Sequence, residues 1–208
     1  MRRIFVFTLI PLLIALALPT MAMAGALTGK VIALDAGHGG SDPGAVNINP
    51  EHRLNEKDMD ISVVNLLKEK LERRGAKVVL TRTGDETVGL HERVARANAS
   101  GAQILVSVHH NSARPDVNGT ETYFTQPDDQ PLAAALNGRL VQGLGTNDRG
   151  AKHMPDFVLT NRPNMPSTIT EGSFVTNDAE AHQWIHGDRE EIEAKALYQG
   201  LVDYFKSH

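Results

Sequence analysis

Short apolar runs alternate with stretches of helical periodicity along most of this 208-residue chain, and that alternation admits few folds. Lys30–Leu34, Lys77–Thr81, Ile104–Val108, Thr120–Phe124 and Ser167–Thr170 read as strands, with Phe157–Leu159 as a further short one. After Asn55, a plausible N-cap, the residues Met59, Val63, Leu66, Leu67 and Leu71 follow helical spacing as far as Arg74. Gly75 stops that helix. Leu90–Asn98, Leu132–Leu144 and the amphipathic Glu190–Phe205 segment read as further helices. Strands alternating with helices indicate an α/β sheet covered on both faces. No repeat, low-complexity stretch or Pro/Ser-rich linker interrupts the pattern, so residues 25–208 are expected to form one domain.

Composition narrows the function classes. Hydrophobic residues make up 41% and charged residues 22%, which are globular values. The net charge is −4 and there is no basic block, so nucleic acid is not an expected partner. The chain has no cysteine, which excludes disulfides, zinc knuckles, iron–sulfur clusters and thiol nucleophiles. Any metal site must be built from His and carboxylate. Residues 1–24 read as a secretory signal peptide: Arg2 and Arg3, an apolar run from Phe5 to Leu18, then the cleavage signal Ala22-Met23-Ala24. The apolar run is short for a membrane span. Its removal takes away two arginines, leaves a net charge of −6, and leaves no stable membrane anchor. The expected destination is the periplasm or the exterior.

The reactive side chains gather at strand ends. His38 lies in the glycine-rich loop Asp35-Ala36-Gly37-His38-Gly39-Gly40 after the first strand. His109 follows the Ile104–Val108 strand, and Glu171 follows Ser167–Thr170. Sites in open α/β sheets lie beyond the carboxyl ends of the strands. Glu56, at the start of the long helix, can reach the same edge. Two histidines and one carboxylate leave an open fourth position on a tetrahedral Zn²⁺, the pattern of a catalytic site. A further carboxylate is then needed to move the water proton, and Glu171 is the candidate. Taken alone, a histidine among glycines is more often a loop residue, so this chemistry does not by itself decide the assignment.

The ordered motifs go further. Asp35–Gly44 (DAGHGGSDPG), Asn55-Glu56-Lys57-Asp58, Leu80-Thr81-Arg82, Ser107-Val108-His109-His110-Asn111, Arg149-Gly150, Phe157-Val158-Leu159 and Thr170-Glu171-Gly172-Ser173-Phe174 resemble, in sequence order, the motifs of the zinc-dependent N-acetylmuramoyl-L-alanine amidases of the amidase-3 type. The resemblance runs from Lys30 to about Phe205. It implies one α/β domain with a mainly parallel six-stranded sheet flanked by helices. It implies Zn²⁺ on His38, Glu56 and His109, with Glu171 as general base and acid. It also implies peptidoglycan as substrate, cut between N-acetylmuramic acid and the L-alanine of the stem peptide. The pair His109-His110 departs from the pattern, in which a small residue commonly follows the ligand. Side chains alternate faces along a strand, so only one of the two can face the metal. The motif register selects His109, and His110 is expected to point elsewhere or to lie near the cleft rim.

Other polar residues carry two readings each. Asp35 could orient a ligand imidazole or cap its loop, and Asn111 could bind substrate or brace a loop. Arg82 and Arg93 are expected to form local ion pairs with Asp85, Glu86 or Glu92. Trp184 is expected to pack. A zinc carboxypeptidase or aminoacylase is the enzymatic alternative, and a wall-binding module that kept the fold is the non-enzymatic one. All four chemical positions are filled, which favours an enzyme. A monomer is expected. No extra insertion is evident between Asn111 and Glu171, so the cleft should be accessible. A protein activator is not legible from sequence.

Overall fold

The computed structural model describes residues 25–208, and the signal peptide read at 1–24 lies outside them. Six strands form the main sheet: β1 (Val31–Ala36), β4 (Lys77–Leu80), β5 (Ile104–Asn111), β6 (Thr120–Phe124), β7 (Asp148–His153) and β8 (Ser167–Phe174). A small antiparallel hairpin, β2 (Val46–Asn47) with β3 (Leu54–Asn55), leads into helix α1 (Glu56–Glu72). The other helices are α2 (Leu90–Ala99), α3 (Gln130–Leu144), α4 (Val158–Asn161), α5 (Asp178–His186) and α6 (Arg189–Ser207). The sheet order is β4-β1-β5-β8-β6-β7, parallel throughout except where β6 meets β8. The expected single α/β domain and mainly parallel six-stranded sheet are what the chain forms. Among the described residues no helix is long and apolar enough to cross a membrane.

Strand alternation assigns the two faces. Ile32, Leu34, Ile104, Val106 and Val108 point to one side, where Leu67 and Leu71 of α1, Leu132 and Leu136 of α3 and Leu197 and Leu201 of α6 cover them. Ala33 and Leu105 point to the other, against Ala97 of α2, while Ile169 of β8 meets Val94 and Leu159 from α2 and α4. The same alternation continues into the chemistry. His109 lies on the α2/α4 side of β5, and His110 is driven under α1 and α6.

Several boundaries differ from expectation. β5 and β8 do not end at Val108 and Thr170. Their ladder continues through His109 opposite Glu171, and a register shift follows before Asn111 pairs with Phe174. Both reactive residues therefore sit inside strands, held by backbone pairing. Phe157–Leu159 is no strand: Val158–Asn161 forms a single helical turn whose Thr160 and Asn161 amides donate to the Phe157 carbonyl. Three apolar residues cannot by themselves separate a strand from a buried helical turn. Asn55 does occupy the N-cap of α1, but its side chain makes no capping bond and reaches Asp58 instead. The first helical amides are satisfied by loop carbonyls: Glu56 N donates to Ala45 O at 2.9 Å and Lys57 N to Pro43 O at 3.2 Å. These bonds tie the loop after His38 to the start of α1.

Candidate metal centre

The loop after β1 turns sharply. His38 has φ 55°, the one positive value at a non-glycine among the described residues. A residue persists there only if its surroundings hold it. Two buried arginines do so. Arg82 donates Nε to Ala36 O and Nη2 to Gly37 O, both at 2.8 Å. Arg93 donates Nη1 to Ala36 O at 2.5 Å and Nη2 to His38 O. The local pairs expected for these arginines do not form, because Lys57 takes Asp85 and Arg96 takes Glu92. Instead Arg93 meets Asp35 at 2.9 Å. Asp35 also accepts from the Thr81 and Ser107 hydroxyls, so it touches no imidazole and anchors the strand end instead.

Two imidazoles meet at Glu56. Its Oε1 lies 2.9 Å from His38 Nε2 and 2.9 Å from His109 Nδ1. The same oxygen accepts from the His110 amide at 3.1 Å, and Oε2 accepts from the Ala45 amide at 2.7 Å. His38 Nδ1 donates to Asp42 Oδ2 at 2.8 Å, which leaves Nε2 to face the centre. The His38 and His109 rings stand edge to face, centroids 4.9 Å apart. His109 is wedged against Gly37, where a Cβ would lie 2.3 Å from its Cε1. Glu171 stands beside His109 across the β5–β8 ladder. All four residues line one cleft of about 370 Å³, walled on its apolar side by Leu90, Phe157, Val158 and Ile169. Asn111 reaches this cleft too, while its amide braces Glu121 at 2.9 Å and the Tyr123 hydroxyl at 3.2 Å.

The electrostatics are those of a carboxylate between two bases. Burial opposes charge on Glu56, but hydrogen bonds from His109 and His38 hold it well below the usual carboxylate range. Burial likewise opposes charge on His109, yet Glu56, Asp60 and Glu171 raise it to about 10. Glu171 goes the other way: burial pushes its carboxyl up to about 8, with the charge of His109 opposing. Its Oε2 is buried with no hydrogen-bond partner, as is Asp60 Oδ2.

Two imidazole nitrogens and a carboxylate oxygen suit Zn²⁺. The donors converge, Asp42 fixes one ring as outer partners of zinc histidines do, and the orphaned carboxylate oxygens are charge that a cation would offset. His38, Glu56 and His109 could therefore hold the ion. Asp60 was not singled out from sequence. One ligand atom from each of His38, Glu56, Asp60 and His109 lies within 4.8 Å of every other. The readable signal was its spacing, four residues after Glu56 on one helix face. His110 points away from His109, the first of the two places expected for it. It is fully buried between Asp60 and Glu193. Trp184 packs as expected, edge-on to His110, with its indole donating to Ser173.

The N-acetylmuramoyl-L-alanine amidase (Amidase_3) family model matches residues 32–203, nearly the whole described domain. The chain belongs to that family. Among relatives of this amidase-family chain, YqiI of Bacillus subtilis (strain 168), described as uncharacterized, is 36% identical over 191 residues, 90% of each chain. The N-acetylmuramoyl-L-alanine amidase LytC of the same organism is 32% identical over 187 residues. That match covers 86% of this chain and 36% of LytC. Among solved structures, the catalytic domain of CwlV, an N-acetylmuramoyl-L-alanine amidase from Bacillus (Paenibacillus) polymyxa var. colistinus, superposes with a TM-score of 0.80 at 29% identity. It is covered over 99% of its length by 86% of this chain.

Proposed function

We propose that this chain is a zinc-dependent N-acetylmuramoyl-L-alanine amidase that acts on peptidoglycan outside the cytoplasm. The observation that carries the reading is the meeting of His38, Glu56 and His109 in one cleft with a half-buried Glu171, in a chain of this family. His38 Nε2, Glu56 Oε1 and His109 Nδ1 would hold the metal. When bound, Zn²⁺ supplies Lewis acidity, polarising the scissile carbonyl and making water acidic enough to attack near neutral pH. Glu171 accepts the proton of the attacking water and returns it to the departing alanine nitrogen. Burial suits it to both roles, because a carboxyl whose pKa is raised towards neutrality can take and give a proton. The cleft accepts the amide, and Leu90, Phe157 and Ile169 offer an apolar wall that excludes water from one side of it. The signal peptide read at 1–24 supports export to the periplasm or beyond, and a monomer suffices because every proposed group comes from one chain.

Digestion of purified sacculi tests the reaction. Intact stem peptides with a new free L-alanine amine are expected, with glycan chains uncut. New reducing ends, or cuts within the stem peptide, would assign the chain another wall chemistry. Glu171→Gln should keep its zinc and lose turnover by roughly 10²-fold or more, the scale of general acid–base catalysis. Near-normal release by a zinc-loaded, folded variant would remove Glu171 from the mechanism.

A further inference from the structure

Beneath the candidate centre lie three side chains that the reaction does not use. Asp60 of α1, His110 of β5 and Glu193 of α6 all have zero exposed surface. Their arrangement is linear. His110 Nδ1 lies 2.8 Å from Asp60 Oδ1, and its Nε2 lies 3.1 Å from Glu193 Oε2. Both ring nitrogens face carboxylates, so the ring acts as a double donor bridging α1 to α6. The far end cannot drift toward β8: Glu193 packs so closely on Gly172 that a Cβ there would lie 2.4 Å from its carboxylate. Trp184 stands edge-on against the ring at 4.8 Å and blocks sideways movement.

Asp60 is a carboxylate in a delicate place. It shares a helix face with Glu56, and its ligand atom falls within 4.8 Å of those of His38, Glu56 and His109. Its Oδ2 is buried with no partner. A zinc ion with four protein ligands is a structural site, whereas a catalytic one keeps a position open. Asp60 is thus near enough to the other three ligand atoms to become a fourth ligand. What engages it is the His110 ring.

We propose that His110 keeps the centre catalytic: by binding Asp60 through Nδ1, with Glu193 anchoring Nε2, it holds Asp60 out of the coordination sphere and leaves the fourth position free. His110 is thus a positioning residue, acting through Asp60. The inference rests on the metallo-amidase reading above and adds a role for a residue that reading leaves idle. It also accounts for the buried trio as a unit, since an apolar residue at position 110 would leave two buried carboxylates without a cationic partner.

Two conservative variants separate the ends of the ring. His110→Gln keeps a donor towards Glu193 but has none at the Nδ1 position. His110→Asn keeps a donor near Nδ1 and can still engage Asp60. The full mature chain is stripped of metal, loaded with Co²⁺, and its visible spectrum recorded with and without thiocyanate, alongside peptide release from sacculi. Wild type and His110→Asn should bind one Co²⁺ whose spectrum shifts with the anion. His110→Gln should bind Co²⁺ that releases more slowly to chelator, shows no anion response, and supports activity reduced about 10- to 100-fold, the range for residues that act on a metal through its ligands. Adding Asp60→Asn to His110→Gln should restore the anion response and raise activity again. An anion response in folded His110→Gln equal to that of wild type overturns the inference and leaves the metal reading standing. Wild type that binds neither Co²⁺ nor Zn²⁺ overturns both. A measurement independent of how well His110→Gln folds uses Asp60→Asn alone. Wild-type cobalt protein should already respond to thiocyanate as fully as Asp60→Asn does. A response gained only on removing the carboxylate would mean that Asp60 is already a ligand, and the inference would fail.

Discussion

Glu171 sets catalysis against folding. Its side chain is half-buried, Oε2 is enclosed without a partner, and desolvation raises its pKa from 4.5 to about 8. The folded chain therefore holds this proton more tightly than the unfolded chain does. Between those two values the native state binds more protons than the unfolded state, so the contribution of this group to stability falls as pH rises. The loss begins near pH 4.5 and levels off above about pH 8. Glu171→Gln cannot ionise and should escape it. In metal-free protein the variant is expected to be more stable than wild type, by a margin that widens from pH 5 to pH 8. Urea unfolding in chelator across that range measures the margin. A margin that is flat with pH would show that Glu171 ionises in the native state as it does in the unfolded chain. Cation binding nearby reverses the balance, which is why the cost is borne by the metal-free protein alone.

At the scale of elements, the loop between β1 and α1 shows what a sequence can and cannot disclose. Its glycines and histidine were legible as a reactive turn, and the apolar runs of β1 and β5 gave its place at a strand end. The clamp that holds it was not legible. Arg82 and Arg93 bind backbone carbonyls of Ala36, Gly37 and His38, and no residue type marks a carbonyl as a partner. Charged neighbours in sequence suggested local pairs instead. β7 escaped notice for a related reason: Asp148–His153 is a mostly polar run at the sheet edge, without apolar alternation. His110 was half legible. Alternation turned it away from His109, but its burial depended on Asp60 and Glu193 arriving from two helices. The closeness of Gly37 to His109 gives a test of the loop as an element. Gly37→Ala would put a methyl group 2.3 Å from the His109 Cε1 position, so the ring must move. Zinc affinity should fall about 10- to 100-fold, the range seen when the support of a metal ligand is disturbed, while far-ultraviolet circular dichroism stays unchanged. Chelator competition reads the affinity. Unaltered affinity would mean that the loop yields and the ring does not.

For the whole molecule the question is whether the metal makes the fold or only completes it. The main core lies between β1 and β5 and helices α1, α3 and α6, with Ile32, Leu34, Leu67, Leu71, Leu136, Leu140, Leu197 and Leu201 essentially without exposed surface. None of these residues belongs to the cleft. His38, Glu56, His109 and Glu171 sit at one edge of that layered structure, at or near the carboxyl ends of β1, β5 and β8 and the start of α1. Small zinc domains unfold without metal because they have little other core. This chain buries ample apolar surface, so the metal-free protein is expected to keep its secondary structure and a single cooperative unfolding transition. Zinc should still stabilise it, because an ion bound only by the native state adds RT ln(1 + [L]/Kd), about 4 kcal/mol at a thousandfold excess over Kd. A domain of this size shifts by roughly 2–4 °C per kcal/mol, so chelation should lower Tm by about 10 °C, and added Zn²⁺ should restore it. His38→Ala should unfold near the chelated midpoint whether or not Zn²⁺ is present. Scanning calorimetry of both proteins, with chelator and with Zn²⁺, decides the matter. Loss of all secondary structure on chelation would make the ion part of the fold, and a wild-type midpoint indifferent to zinc would mean that the cleft holds none.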